Sequence, residues 1–180
     1  MQIILFKRNR ITTALCLGAA AAILWMVCHP AAIGAAGQQR ALPIYSVAVP
    51  GEEKVAAITF DAAWDDEDTQ ALLEVLDAQE VKATFFVVGE WAERCSDSVR
   101  ALHQAGHEIM NHSATHPHLS QCSREELVRQ VEEGGERIAA LTGETPTLFR
   151  CPYGEYNDQI ITTVRSLGVT PVQWDVEPLE

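Results

Sequence analysis

Five short apolar runs, each separated from the next by a segment of helical character, lie between residues 55 and 174. The runs span 55–60, 82–88, 107–111, 147–150 and 169–174, and each reads as a strand. Between the first two, Leu72, Leu73, Val75 and Leu76 fall at helical spacing in 69–78. A short helix fits 98–105, with Gly106 as its stop. Ser123-Arg-Glu-Glu126 is a capping box before Leu127, Val131, Ile138 and Leu141, and Gly143 ends that helix. A last helix fits 156–167, stopped by Gly168. Strands alternating with helices pair in parallel through right-handed crossovers, so the chain reads as α/β. In such folds the C-terminal ends of the strands gather on one face, and chemistry sits there.

Four polar clusters fall at those ends. They are Asp61, the pair His112 and His116, Arg150, and Trp174 to Glu177. The histidines belong to Asn111-His112-Ser113-Ala114-Thr115-His116-Pro117-His118. Neutral imidazole suits zinc and its first-row neighbours. Spacing of four also fits one face of a helix, but Pro117 drives His116 out of the α region. The helical zinc-protease pattern fails too, because Ser113 stands where its glutamate belongs. The expected form is a strand ending near His112 and a tight loop returning His116 to the same point. Asp61 or its acidic loop is a candidate third ligand. Metal-activated water can attack a carbonyl carbon, and a carboxylate can take its proton. Arg150 can orient that carboxylate, and amides around Tyr153 can hold an oxyanion. The plain alternatives are a polar surface loop for the histidines and a structural ion pair for Arg150. One cluster at a strand end is within chance; four on one rim make a site the better reading.

Lys7, Arg8 and Arg10 precede an uncharged apolar run over 11–28, near the lower limit for crossing a bilayer. The basic flank places the N-terminus inside and the rest outside. A retained anchor is favoured over a signal peptide cleaved near Gly34-Ala35-Ala36. The expected organisation is an anchor or signal peptide at 1–36, a linker at 37–53 and one domain at 54–180. The expected location is the cell membrane, single-pass with an extracytoplasmic domain, or secretion if the leader is cleaved. All 25 acidic residues lie beyond the leader, and this negative charge argues against nucleic acid as a partner. Of five cysteines, Cys95, Cys122 and Cys151 lie outside the leader; three cannot all pair and no CxxC is present, so a disulfide framework is not expected, with one bridge left open in an oxidising compartment.

Thr59-Phe60-Asp61, His112-Ser-Ala-Thr-His116-Pro117 and Arg150-Cys-Pro-Tyr153, in this order, resemble the polysaccharide deacetylase family with its NodB-homology domain. The likeness covers 54–180. Phe60-Asp-Ala-Ala-Trp64 behind an N-terminal anchor is similar to the sporulation-associated branch that acts on peptidoglycan. The resemblance implies a distorted (β/α) barrel and removal of acetyl groups from N-acetylated sugars in cell-wall polysaccharide. It implies Asp61 as general base, His112 and His116 as ligands of a divalent metal, zinc first, and Arg150 as the residue that orients the base. It puts the Tyr153 amide at the oxyanion and Trp174 near the substrate. Two departures stand against it. The family's second aspartate, a metal ligand, is here Ala62, so either metal binding is weak or Asp65, Asp66 or Asp68 substitutes. The family's late strand with an amine-protonating histidine has no counterpart, and the expectation is a barrel lacking its C-terminal strands, with a bare edge after 169–174. A non-catalytic glycan-binding relative is the alternative that Ala62 supports.

Overall fold

A computed structural model describes residues 40–51 and 54–177, together with 15, 17–21 and 25. The leader read at 1–36 therefore lies mostly outside the described residues. Among those described, no helix is long and apolar enough to cross a membrane. Met1–Arg40 and Ala41–Glu180 are separate units, and the second carries the fold.

In chain order that unit holds β1 (Thr59–Ala62), α1 (Thr69–Ala78), β2 (Thr84–Val87), α2 (Gly89–Arg94), α3 (Ser96–Gln104) and β3 (Glu108–Asn111). Then come α4 (Arg124–Thr142), β4 (Leu148–Arg150), α5 (Asp158–Ser166) and β5 (Thr170–Val172), with single 3₁₀ turns at Leu119–Gln121 and Pro152–Gly154. The strands form one sheet in the order β1-β2-β3-β4-β5, every pair parallel. The α/β reading therefore holds, and each strand lies within or close to its expected run.

Strand β2 lies inside the sheet, between β1 and β3. Its Phe85, Phe86 and Val87 are all buried, as a parallel strand covered on both faces requires. Each such side chain contributes about 1.5–3 kcal/mol on burial. Phe85 and Val87 join Trp91, Val99, Leu102, Ile109 and Ile138 in one core cluster. Leu119, Leu127, Val131, Phe149, Ile160 and Val164 form a second, beside β4.

Three local features differ from expectation. β1 runs through Asp61 and Ala62, with Asp61 level with Phe86 of β2, so Asp61 is in the strand rather than after it. Gly89 opens a helix instead of only ending β2. A Cβ there would lie 2.9 Å from Arg137 Cδ and 3.2 Å from the Gly134 Cα, so glycine lets α2 approach α4. Lastly, the outer edge of β5 is covered. Ile44, within the stretch read as linker, bridges Val172 in parallel, its N–H donating to Pro171 O at 2.9 Å and its O accepting from Gln173 N at 2.8 Å. Arg165 donates to Leu42 O at 2.7 Å, and the Tyr45 and Tyr156 hydroxyls meet at 2.7 Å.

Candidate active site

Asp61 and Arg150 stand on strands separated by β2 and β3, yet Arg150 Nη1 donates to Asp61 Oδ1 at 2.7 Å. The guanidinium spans the gap by lying 3.9 Å over the Phe86 ring, with Trp174 at 5.7 Å. Its side chain is 4% exposed, whereas that of Asp61 keeps 30%. A buried cation is thus paired on one side and stacked on the other, and the carboxylate it holds faces solvent.

His112 leaves the end of β3 with its N–H bonded to Val87 O at 3.0 Å. Its Nδ1 lies 2.8 Å from Arg150 O. A carbonyl only accepts, so Nδ1 carries the proton and Nε2 keeps a lone pair, 3.7 Å from Asp61 Oδ2. Burial pushes the His112 pKa below its ordinary value; Asp61 opposes the shift without reversing it. The loop then turns through Ser113 (φ 75) and His116 (φ 60), and the His116 N–H donates to Ser113 Oγ at 3.0 Å. This is the tight return that the sequence suggests. His116 brings its ring to 5.0 Å from that of His112. Burial lowers its pKa as well, with Asp61 again in opposition.

Two neutral imidazoles are the donors that zinc and its neighbours take. His116 Nδ1 is buried without a hydrogen-bond partner, a need that coordination would satisfy, and the His112 Nε2 lone pair lies 3.7 Å from Asp61 Oδ2. The histidine pair therefore fits a divalent ion. Among the described residues, however, no three His, Cys, Asp or Glu side chains make a ready cluster. Ala62 supplies no donor, and in the acidic loop after it Asp66 Oδ2 accepts from Ser98 Oγ at 2.6 Å. The next residue upstream, Asp65, gives its carbonyl to the Trp91 indole at 3.1 Å.

Tyr153 sits in the turn after β4 at φ 58. The amides of Gly154 and Glu155 are taken by Cys151 O and Pro152 O, bonds that do not involve the Tyr153 amide. The Tyr153 ring packs against His116 at 4.5 Å and stacks on His118 at 4.2 Å. Trp174 closes the far side against Gly154, where a Cβ would come within 2.9 Å of the indole. All six residues singled out in the sequence thus meet in one place. Two neighbours were not singled out as site residues. Trp64, largely exposed, sets its ring 5.6 Å from that of His116. Glu155 accepts from Ser120 Oγ at 3.1 Å and lies 3.1 Å from His118 Nδ1. The aromatic residue in Asp61-Ala-Ala-Trp64 was a usable signal for the first; nothing in the spacing pointed to the second.

The polysaccharide deacetylase family model matches residues 48–172. The chain belongs to the polysaccharide deacetylase family. Among members of the family, a chitooligosaccharide deacetylase of Sinorhizobium fredii is 38% identical over 67% of this chain and 57% of its own length. A peptidoglycan-N-acetylglucosamine deacetylase of Bacillus cereus is 33% identical over 76% of this chain and 50% of its own. The chain thus spans about half the length of the curated relatives it matches. A family 4 carbohydrate esterase from Streptomyces lividans, solved with acetate, superposes with a TM-score of 0.63 at 38% identity, covering 67% of this chain and 62% of that one. A family 4 pseudoenzyme from Bacillus anthracis superposes at 0.69 with 29% identity, covering 74% and 47%. The five parallel strands are accordingly those of a NodB-type (β/α) barrel.

Proposed function

We propose that this chain is a divalent-metal-dependent hydrolase that removes acetyl groups from N-acetylated sugars in cell-wall polysaccharide, with peptidoglycan as substrate and zinc as the ion. The observation that carries the reading is the Asp61 carboxylate. Arg150 holds one of its oxygens at 2.7 Å, and the other faces His112 Nε2 at 3.7 Å. Simple glycan binding has no need of a carboxylate fixed in this way beside two neutral histidines. His112 and His116 would hold the ion, which when bound would supply Lewis-acid polarisation of the acetyl carbonyl and of water. Asp61 takes the proton of the attacking water, and Arg150 keeps it ionised and aimed. The Tyr153 amide faces the oxyanion, and Trp174 lines the sugar. Water oxygen joins the acetyl carbon, the C–N bond breaks, and acetate leaves with a protonated amine on the sugar.

The relatives named for peptidoglycan and the Phe60-Asp-Ala-Ala-Trp64 sequence support the substrate and a sporulation setting. The leader supports attachment to the outer face of the membrane. Asp61→Asn tests the chemistry. Acetate release from N-acetylated oligosaccharides should fall by about 10²-fold or more while the circular dichroism spectrum is unchanged. Turnover close to wild type in that variant would overturn the role of Asp61. Ala62 favours the second reading, a glycan-binding relative without activity. Glycan binding with no acetate release at saturating zinc would establish it.

A further inference from the structure

The backbone of the histidine loop is held from outside itself. Ser113 and His116 both adopt the left-handed region without being glycine, a conformation that persists only where the surroundings impose it. The surroundings are one face of α4. Gln130 is 1% exposed. Its Oε1 accepts from the amides of Ala114 and Thr115, each at 3.0 Å. Its Nε2 donates to Thr115 Oγ1 at 3.0 Å and to Glu126 Oε1 at 2.9 Å. Both acceptor sites and both N–H groups of the amide are used, and flipping it would set N–H against N–H. One helical turn on, Gly134 meets the same loop. A Cβ there would lie 2.5 Å from Asn111 Oδ1 and 2.8 Å from the Ser113 carbonyl carbon. Asn111 in turn accepts from Ser113 N at 2.9 Å and donates to Val131 O at 2.7 Å. Glu126 belongs to the capping box, but its carboxylate turns away from the helix start toward Gln130 and Arg129.

We propose that Gln130 is a positioning residue of the metal site: by pinning the Ala114 and Thr115 amides it sets the separation and aim of His112 and His116. The inference rests on the metal reading of those histidines. Two hydrogen bonds from one rigid helix fix the middle of the segment between the two ligands. Without them the loop is free to relax from its left-handed turns, and the imidazoles no longer meet. Partners that orient ligands in this way change metal affinity by about 10–100-fold when removed.

The test uses the full chain. Gln130→Met keeps the volume and removes all four hydrogen bonds. The exchange Glu126→Gln with Gln130→Glu keeps a double acceptor for the two amides and returns a donor from position 126. Val99→Ala, a fully buried site in the other core cluster, is the control for lost stability. Zinc affinity by chelator competition and hydrogen exchange at the Ala114 and Thr115 amides are read at a temperature where all variants are folded. Gln130→Met should weaken zinc binding about 10–100-fold and speed exchange at those two amides. The exchange variant should recover most of both, and Val99→Ala should leave zinc affinity unchanged despite a lower Tm. Wild-type zinc affinity in Gln130→Met, or an equal loss in Val99→Ala, overturns the proposal. A wild type that binds no zinc overturns the metal reading and this inference with it, whereas wild-type binding with an unaffected Gln130→Met sinks this inference alone.

Discussion

Arg150 does more than neutralise Asp61, and lysine would not replace it. The guanidinium donates to the carboxylate while its plane rests 3.9 Å over Phe86, a combination open only to a flat cation. Arg150→Lys should cost about 1–2 kcal/mol of stability through the lost stack. It should also lower kcat more than it raises KM, on the scale of 10²-fold for a base displaced by about 1 Å. Unchanged kcat would reduce Arg150 to a counter-charge. A second residue sets a pH dependence away from the site. His107 is 4% exposed and takes the Ala83 N–H on Nδ1 at 3.2 Å, which only the neutral ring can do. Burial, and then Lys82, hold its pKa below the ordinary value. The unfolded chain therefore binds the proton first as pH falls. Stability from His107 is complete above about pH 6.5 and is lost as pH drops from there through the folded pKa. His112 and His116 have the same sign, so His107→Gln should reduce the slope of Tm against pH between 7 and 5 without abolishing it. An identical slope would remove His107 from the account. At this scale the candidate site residues were legible because their types carry chemistry: Asp61, His112, His116 and Arg150 announce themselves. Gln130 did not, since a lone amide on a helix has no signature until the loop it holds is in view.

At the scale of elements, periodicity found what local physics decides. The 69–78 helix has the expected bounds, and Ser123 caps α4 by accepting from Glu126 N at 3.2 Å. Gly143 ends that helix at φ 80, the left-handed stop that glycine supplies without strain. Periodicity missed α2, whose six residues are too few to show a repeat and whose Gly89 looked like punctuation. It also missed the strip beside β5. Ile44 and Val172 pair across most of the domain's length, and no local pattern encodes a partner so distant. Ile44→Pro deletes the N–H that Pro171 O accepts and twists the strip off the edge. About 1 kcal/mol should be lost with the hydrogen bond. Faster hydrogen exchange at the Gln173 amide is the local readout, because that amide donates to Ile44 O. Wild-type protection at Gln173 would mean that the strip is not what covers this edge.

For the whole molecule, strand order equals sequence order, and that is why the site assembles. Each parallel strand delivers its C-terminal end to the same rim, so Asp61, His112, Arg150 and Tyr153, far apart in the chain, become neighbours. A rim of this kind serves a cell-wall glycan only if the domain stands outside the cytoplasm, and the leader bears on that. Lys7, Arg8 and Arg10 flank the 11–28 apolar run on its N-terminal side, while all 25 acids follow it. Cationic residues beside a membrane segment stay on the cytoplasmic side, and acidic residues contribute little to the choice. The proposed arrangement therefore has the N-terminus inside and the catalytic rim outside. Protease added to intact spheroplasts should digest the domain and leave a cytoplasmic marker whole. Reversing the three leader charges to acidic should lower the fraction that is accessible. Complete protection of the wild type would show that the basic flank does not set the orientation, and would put the deacetylase reading out of reach of its substrate.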